Sequence, residues 1–258
     1  MNLIQLVDLV DLQARASLKA EASRLYLSYF WWILEPMLFV TVFYIVFKVL
    51  LNRGGEDFVF FLMCGKIPYL WVNKSIMASC NSLIGNRGLI GRIDIPKIIF
   101  PYIDMQEVLY KQWVVFVVLL GTAMYFGSTP SPNWLWLIPI ILTNYLLLVP
   151  LSLIAALLVT WAQDFRMLIS MGMLFVMFAS GIFWDVNDIL SDRWRELLLL
   201  ANPMAFLIDC YRQILMYDAG IDATHLAILA AICIGVTVLT HLVYDGMRYR
   251  ITQKLMEM

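Results

Sequence analysis

The sequence is poor in charged residues, which make up only 14% of its 258 positions, whereas 62% of the positions are hydrophobic. Soluble domains carry about 25% charged residues and roughly 45–50% apolar ones. A soluble chain of this size could not cover so much apolar surface, so the composition excludes a cytosolic enzyme, an extended nucleic-acid binder and a disordered protein. A bilayer is the expected solvent, and six helices of about 20 residues would use roughly 120 of the positions.

Residue clusters for metal or nucleophile chemistry are also missing. The four cysteines form no CxxC pair and no cluster with histidine, which removes support for a zinc site or dithiol chemistry. The two histidines, His225 and His241, lie near opposite ends of one apolar run and cannot share a metal. No GxSxG or HExxH motif occurs.

The phosphate-binding loop of ATPases is absent as well. No GxxxxGK[ST] pattern occurs, since Gly65-Lys66 has Phe60 where the first glycine belongs. We therefore expect a chain that is not an enzyme and that holds no cofactor of its own.

Long apolar runs dominate what the sequence does contain. Six of them are predicted to cross a membrane, at about residues 29–51, 58–83, 108–126, 134–160, 167–183 and 226–244. The second run is the weakest, because Lys66, Pro68, Asn73 and Lys74 interrupt it. The prediction is an all-α integral membrane protein with six transmembrane helices, formed by one domain over residues 1–258.

Three further segments are too short or too polar to cross. Residues 1–24 show apolar positions at helical spacing with charges opposite them, which predicts an amphipathic helix in the membrane interface. The charged segment 86–106, with Pro96 and Pro101, fits a short surface helix. Residues 185–222 contain two short helices broken at Asn202-Pro203, which predicts a re-entrant hairpin between the fifth and sixth spans.

The distribution of basic residues predicts the orientation. With six spans, ten Lys and Arg residues lie on the side of the two termini, and four lie on the opposite side. Cytoplasmic loops carry the excess of Lys and Arg, so both termini are predicted to be cytoplasmic. Omitting the second span would move the basic C-terminal tail outside, so the charge bias supports that span.

The order of these features resembles the membrane subunit of ABC exporters for cell-surface polysaccharide, the family of O-antigen and group 2 capsule permeases. The stretches that match best are residues 27–36 (LSYFWWILEP), residues 60–71 (FFLMCGKIPYLW), Asn86 with Leu89-Ile90 ahead of Pro96 and Pro101, and Asn202-Pro203. The resemblance covers nearly the whole chain. Lys66 departs from it, because the family more often has an uncharged residue there.

The resemblance implies a permease that exports a lipid-linked polysaccharide, of the O-antigen (lipopolysaccharide) or capsule type, across the inner (cytoplasmic) membrane of a bacterial cell. A homodimer would form the channel, and two copies of a separate ABC ATPase subunit would bind ATP and Mg²⁺. Segment 86–106 would be the cytoplasmic coupling segment that docks on the ATPase. Its predicted contact residues are Leu89, Ile90, Arg92, Ile93, Asp94 and Ile95.

Two more sets of residues are predicted to meet the substrate. Four basic residues, called the entrance cations below, would attract the anionic lipid head at the cytoplasmic face; they are Arg15, Lys19, Arg24 and Arg87. A moving polymer must be held weakly at many points, which aromatic faces allow. The predicted conduit residues are Trp32, Phe39, Phe43, Phe47, Phe175, Phe178, Phe183 and Trp184. The hairpin would then close the exit as a gate.

Three alternatives share some of these features. An ABC permease for drugs or small lipids has the same topology but needs less aromatic lining. A membrane-embedded glycosyltransferase or acyltransferase would need acidic or histidine clusters at the membrane surface. A proton-coupled carrier would need inverted repeats and buried acid chains. The sequence shows no acidic or histidine cluster at a predicted membrane surface, no inverted repeat and no buried acid chain.

Overall fold

The computed structural model of the chain describes residues 3–24, 28–50, 57–92 and 95–257. Within these ranges the chain forms α-helices and no strand. The helices are α1 (Leu3–Arg24), α2 (Ser28–Tyr44), α3 (Phe58–Ser79), α4 (Ser82–Gly85), α5 (Arg87–Ile90), α6 (Ile99–Tyr125), α7 (Leu137–Trp161), α8 (Phe165–Ala179), α9 (Asp192–Ala201), α10 (Pro203–Leu215), α11 (Ala223–Gly246) and α12 (Arg248–Met256). A π-helical stretch, Ile45–Leu50, continues α2.

Four stretches of the described chain are long and apolar enough to cross a membrane, which makes this a multi-pass membrane protein. They are Phe30–Leu50, Ile99–Tyr125, Pro132–Trp161 and Ala223–Gly246. Helix α3 has 22 residues but carries several polar side chains. Helix α8 has only 15 residues, or about 22 Å of helix, against a hydrocarbon core of about 30 Å.

Helix α6 corrects one prediction. It begins at Ile99, inside the segment 86–106 that the sequence suggested as a separate surface helix, and it runs unbroken to Tyr125. Pro101 does not stop it, because a proline in the first turn replaces an N–H group that has no helical partner anyway. What remains of the surface helix is the single turn of α5.

Helix α3 lies at the centre of the bundle, in contact with α2, α6, α7, α8 and α10. Its Trp71 ring lies 5.7 Å from Phe116, and Phe60 lies 5.7 Å from Phe126, so α3 and α6 run antiparallel. Most α3 side chains are buried. The second apolar run, which the sequence supports least as a span, therefore forms the core of the bundle. Its polar side chains are surrounded by protein there.

The bundle has two distinct ends. At the first, called the α1 end, α1 packs along the N-terminal half of α6, and α12 packs against α5 and α7. At the second, called the α10 end, α10 packs against the first half of α3. The predicted break at Asn202-Pro203 is confirmed, since the Asn202 side chain caps α10 by accepting hydrogen bonds from the N–H groups of Met204 and Ala205.

Candidate functional site

A cleft of about 680 Å³ opens at the α1 end, where its lining comes from α1, α2, α3 and α6. Two lysines in its wall form ion pairs across helices. The Lys74 ammonium lies 2.5 Å from a Glu35 carboxylate oxygen, which ties α3 to α2. The Lys111 ammonium lies 2.5 Å from Glu21 and 3.0 Å from Glu107, which ties α6 to α1.

Helix α1 has a second attachment to α6 outside the cleft. The Tyr110 hydroxyl donates a hydrogen bond to the Asp11 carboxylate, and Arg15 pairs with the same carboxylate at 2.9 Å. The hydrogen bond from Tyr110 and the charge of Arg15 hold the pKa of Asp11 below its ordinary value. The polar side of this helix therefore packs against protein, and Arg15 is engaged there.

A separate groove of about 420 Å³ lies next to the cleft, along α2 and α3. Trp31 and Glu35 line both spaces, and the groove then passes Phe39 and Phe43. The cleft and the groove thus adjoin at these two residues, and the groove lies between the cleft and a set of aromatic rings.

These rings, called the aromatic stack below, come from three parts of the chain. The ring centroids of Phe39 and Phe43 are 4.4 Å apart, and Phe43 lies 4.4 Å from Phe183. Phe178 lies 5.4 Å from Phe183, and Phe47 lies 6.0 Å from Phe183. The complete set, with each ring within 6.1 Å of another, is Phe39, Phe43, Phe47, Phe58, Phe61, Phe178 and Phe183.

A buried cation lies at each end of the aromatic stack. The Lys66 ammonium is 3.4 Å from the centroid of the Phe39 ring and 3.2 Å from the Met177 sulfur. The Arg212 guanidinium carbon is 3.4 Å from the centroid of Phe61. Neither residue forms a salt bridge within the described part of the chain. Ring faces therefore provide part of the electrostatic compensation that each buried cation needs.

Arg212 also holds the turn that follows α8. Its guanidinium donates to the carbonyl oxygens of Gly181 at 2.7 Å and Ile182 at 3.1 Å. Gly181 adopts φ +72°, which permits the turn, and a side chain on Gly65 would approach Arg212 and Ile182 to about 3.1–3.2 Å. Two glycines thus let α3 and this turn close around the guanidinium.

The structure brings five of the eight predicted conduit residues together in the aromatic stack. Of the other three, Trp184 is adjacent, with its indole N–H donating to the Phe178 carbonyl at 3.0 Å, and Phe175 is 73% exposed on α8. Trp32 lies in the wall of the cleft. Sequence reasoning missed Phe58 and Phe61, although their spacing of three at the start of the second apolar run places them on one helix face.

The predicted coupling residues separate into exposed and buried ones. Leu89 and Arg92 are exposed, and Ile95 is half-buried. Ile90 is only 2% exposed, so it is not part of the exposed surface of this segment. The reason is that α12 packs against α5 and buries Ile251 and Leu255 in the same core. Ile93 and Asp94 lie outside the described residues.

The three entrance cations whose side chains the structure describes do not line the cleft. Arg15 and Lys19 are exposed on α1 and do not line it. Arg87 lines a separate pocket of about 420 Å³ with Arg92 and residues of α12. The side chain of Arg24 lies outside the described part of the chain.

Comparisons with known proteins agree with this architecture. The family model described as ABC-2 type transporter matches residues 93–216, close to half of the chain. The chain is 25% identical over 256 residues to the O-antigen export system permease protein RfbA of Klebsiella pneumoniae, covering 98% of this chain and 97% of that protein. It is 24% identical over 217 residues to the RfbA permease of Myxococcus xanthus, covering 84% of each chain.

Proposed function

We propose that the chain is a permease of the ABC-2 transporter type, the subunit that exports a lipid-linked polysaccharide from a bacterial cell. The observation that carries the proposal is similarity over 98% of the chain to proteins named O-antigen export permeases. The aromatic stack supports the same substrate class, because ring faces pack on the C–H faces of sugars without selecting one sugar. Nothing comparable favours the export of drugs or small lipids.

The proposed topology has six crossings of the inner membrane. Helices α3 and α8 join the four long apolar stretches as spans. The lysines of α3 support its assignment, because Lys66 is buried against a ring and Lys74 is paired with Glu35, so neither needs to face lipid. The α1 end, with its excess of basic residues, would face the cytoplasm.

The segment α9–α10 would enter the membrane from the outer face and return. Helix α10 packs against α3 and α7 and is mostly buried, which is the condition for irregular backbone at membrane depth. Helix α9 has no buried side chain and would remain at the surface. In this position the pair would close the outer end of the path as a gate.

The channel itself would form between two copies of the chain. The interior of one bundle is filled by side chains such as Leu62, Met63 and Ile67, each at most 1% exposed, which leaves no room for a polymer. Within the Phe30–Leu50 stretch, by contrast, only Pro36 and Val40 are buried. A two-fold axis near α2 and α8 would place two copies of the aromatic stack around one path.

Energy would come from a separate ATPase subunit, also in two copies, that binds ATP and Mg²⁺. The exposed part of the coupling segment, with Leu89 and Arg92, offers it a contact surface at the α1 end. Helix α12 supports that surface from behind. Nucleotide binding and hydrolysis would bias the two membrane subunits between conformations through this contact.

Deletion of the gene in its own bacterium tests the proposal. We expect surface polysaccharide to disappear while polymer on its lipid anchor accumulates inside the cell, and a plasmid copy to restore export. Unchanged surface polysaccharide, measured by immunoblot of intact cells, would contradict the proposal. If drug sensitivity rose at the same time, the small-molecule alternative would replace it.

A further inference from the structure

The cleft at the α1 end has a charge balance that does not suit an anion. Its wall carries four carboxylates and two ammonium groups, and both ammonium groups are already paired. With all four carboxyl groups ionised, the net charge of the wall is about −2. A phosphate or pyrophosphate placed here would meet repulsion from the carboxylates and would have to displace existing ion pairs.

Three polar side chains in the wall form no hydrogen bond or salt bridge with the described residues. Asp104, half-buried on α6, forms no hydrogen bond or salt bridge within the described residues. The side-chain amides of Asn73 and Asn81 likewise have no hydrogen bond in the described part of the chain. All three face one space, so the cleft offers a carboxylate and two amides that are free to bind a polar ligand.

Two tryptophans complete the lining. Trp31 is 47% exposed and Trp32 is half-buried, and both contribute to the wall. A flat indole can cover the apolar face of a pyranose, a carboxylate can accept bonds from two neighbouring hydroxyls, and an amide can both donate and accept. The volume of about 680 Å³ lies within the ~300–1,000 Å³ typical of small-ligand sites.

From these observations we propose that the cleft is a binding site for a neutral sugar unit, which it captures at the cytoplasmic face before the sugar enters the groove. This inference rests on the proposed function and adds to it the location and chemistry of substrate loading. It assigns the sugar, and not the anionic lipid head, to this cleft. The shared wall at Trp31 and Glu35 then leads the sugar toward the aromatic stack.

Ligand-observed NMR on the purified chain in lipid nanodiscs tests the site without transport. The probes are three neutral disaccharides (mannobiose, galactobiose and N,N′-diacetylchitobiose) and inorganic pyrophosphate. We expect at least one disaccharide to bind and pyrophosphate not to displace it. D104N and W31L should each weaken binding about fivefold or more, the loss expected for one hydrogen-bonding or stacking group. W113L, which changes an exposed tryptophan of α6 outside the cleft, should not.

The outcomes separate the site from the proposed function. Absence of binding by all three disaccharides, equal affinity in D104N and W31L, or displacement by pyrophosphate would overturn the sugar site. Thermal melts of D104N and W31L, compared with the native chain, serve as the control that a variant that loses binding is still folded. If the gene deletion still abolishes surface polysaccharide, the proposed function stands without this site. If the deletion has no effect on surface polysaccharide, the proposed function itself fails.

Discussion

Replacing Arg212 by methionine probes the joint between α10, α3 and the turn after α8. Arg212 is 1% exposed, and its guanidinium is surrounded by backbone carbonyl acceptors. Beyond its close contacts to Gly181 and Ile182, its guanidinium donates at 3.4 Å to the Phe61 carbonyl and at 3.5 Å to the Trp184 carbonyl. Methionine would fill much of the space but would leave these carbonyls without the donor.

The expected loss follows from the contacts. Each of the two close hydrogen bonds from a charged donor contributes about 1.5–3 kcal/mol. The contact with the Phe61 ring adds about 2 kcal/mol when desolvated. Methionine recovers part of this, because it avoids the cost of burying a charge. A net loss of about 3 kcal/mol would lower the unfolding midpoint by roughly 6–12 °C for a chain of this size.

Thermal unfolding of the purified chain in detergent, monitored by circular dichroism, measures this shift. Arg212→Lys is the matched control, since it keeps the charge and loses the fork that reaches two carbonyls at once. It should fall between the native chain and Arg212→Met. A melt of Arg212→Met within about 2 °C of the native chain would refute the reasoning, because that shift corresponds to less than about 1 kcal/mol.

The remaining predictions concern the partner and the cytoplasmic face. The purified chain should hydrolyse no ATP until a partner ATPase is added, and robust vanadate-sensitive hydrolysis by the chain alone would contradict this. In the assembled transporter, Leu89→Cys should crosslink to the ATPase and Ile90→Cys should not, because only the first side chain is exposed; equal crosslinking would show that α5 moves away from α12. Neutralising all four entrance cations with glutamine should reduce export at equal membrane insertion, and unchanged export would show that they serve membrane orientation alone.

Hydrophobic periodicity predicts much of the bundle, because a bilayer enforces long apolar helices with few alternatives. The runs at 29–51 and 134–160 correspond closely to α2 with its π-helical end and to α7. The start of α10 at Asn202 and Pro203 can also be predicted from the sequence, since both residues act on the backbone within one turn. The start of α6 cannot be predicted in this way, because a proline such as Pro101 is compatible both with the end of a helix and with the first turn of one.

Features that depend on packing between distant segments were harder to predict. Arg212 binds carbonyls of a turn about 30 residues earlier, and no local sequence pattern signals this contact. The local sequence suggests that Ile90 is exposed, but α12, which is distant in sequence, packs on α5 and Ile90 is buried. The sequence also does not predict that Asp104 is left without an ion pair. Only the folded cleft shows which carboxylates Lys74 and Lys111 bind.

Photocrosslinking during export tests most directly whether polysaccharide moves along the aromatic stack. A photoreactive phenylalanine analogue would replace Phe43 or Phe183 in cells that make the polymer, with Trp113, exposed on α6, as the matched control position. The account predicts that illumination attaches polysaccharide to the chain from positions 43 and 183, giving a high-mass ladder on immunoblots, and not from position 113. Export that continues with no polysaccharide attached from either stack position would contradict it.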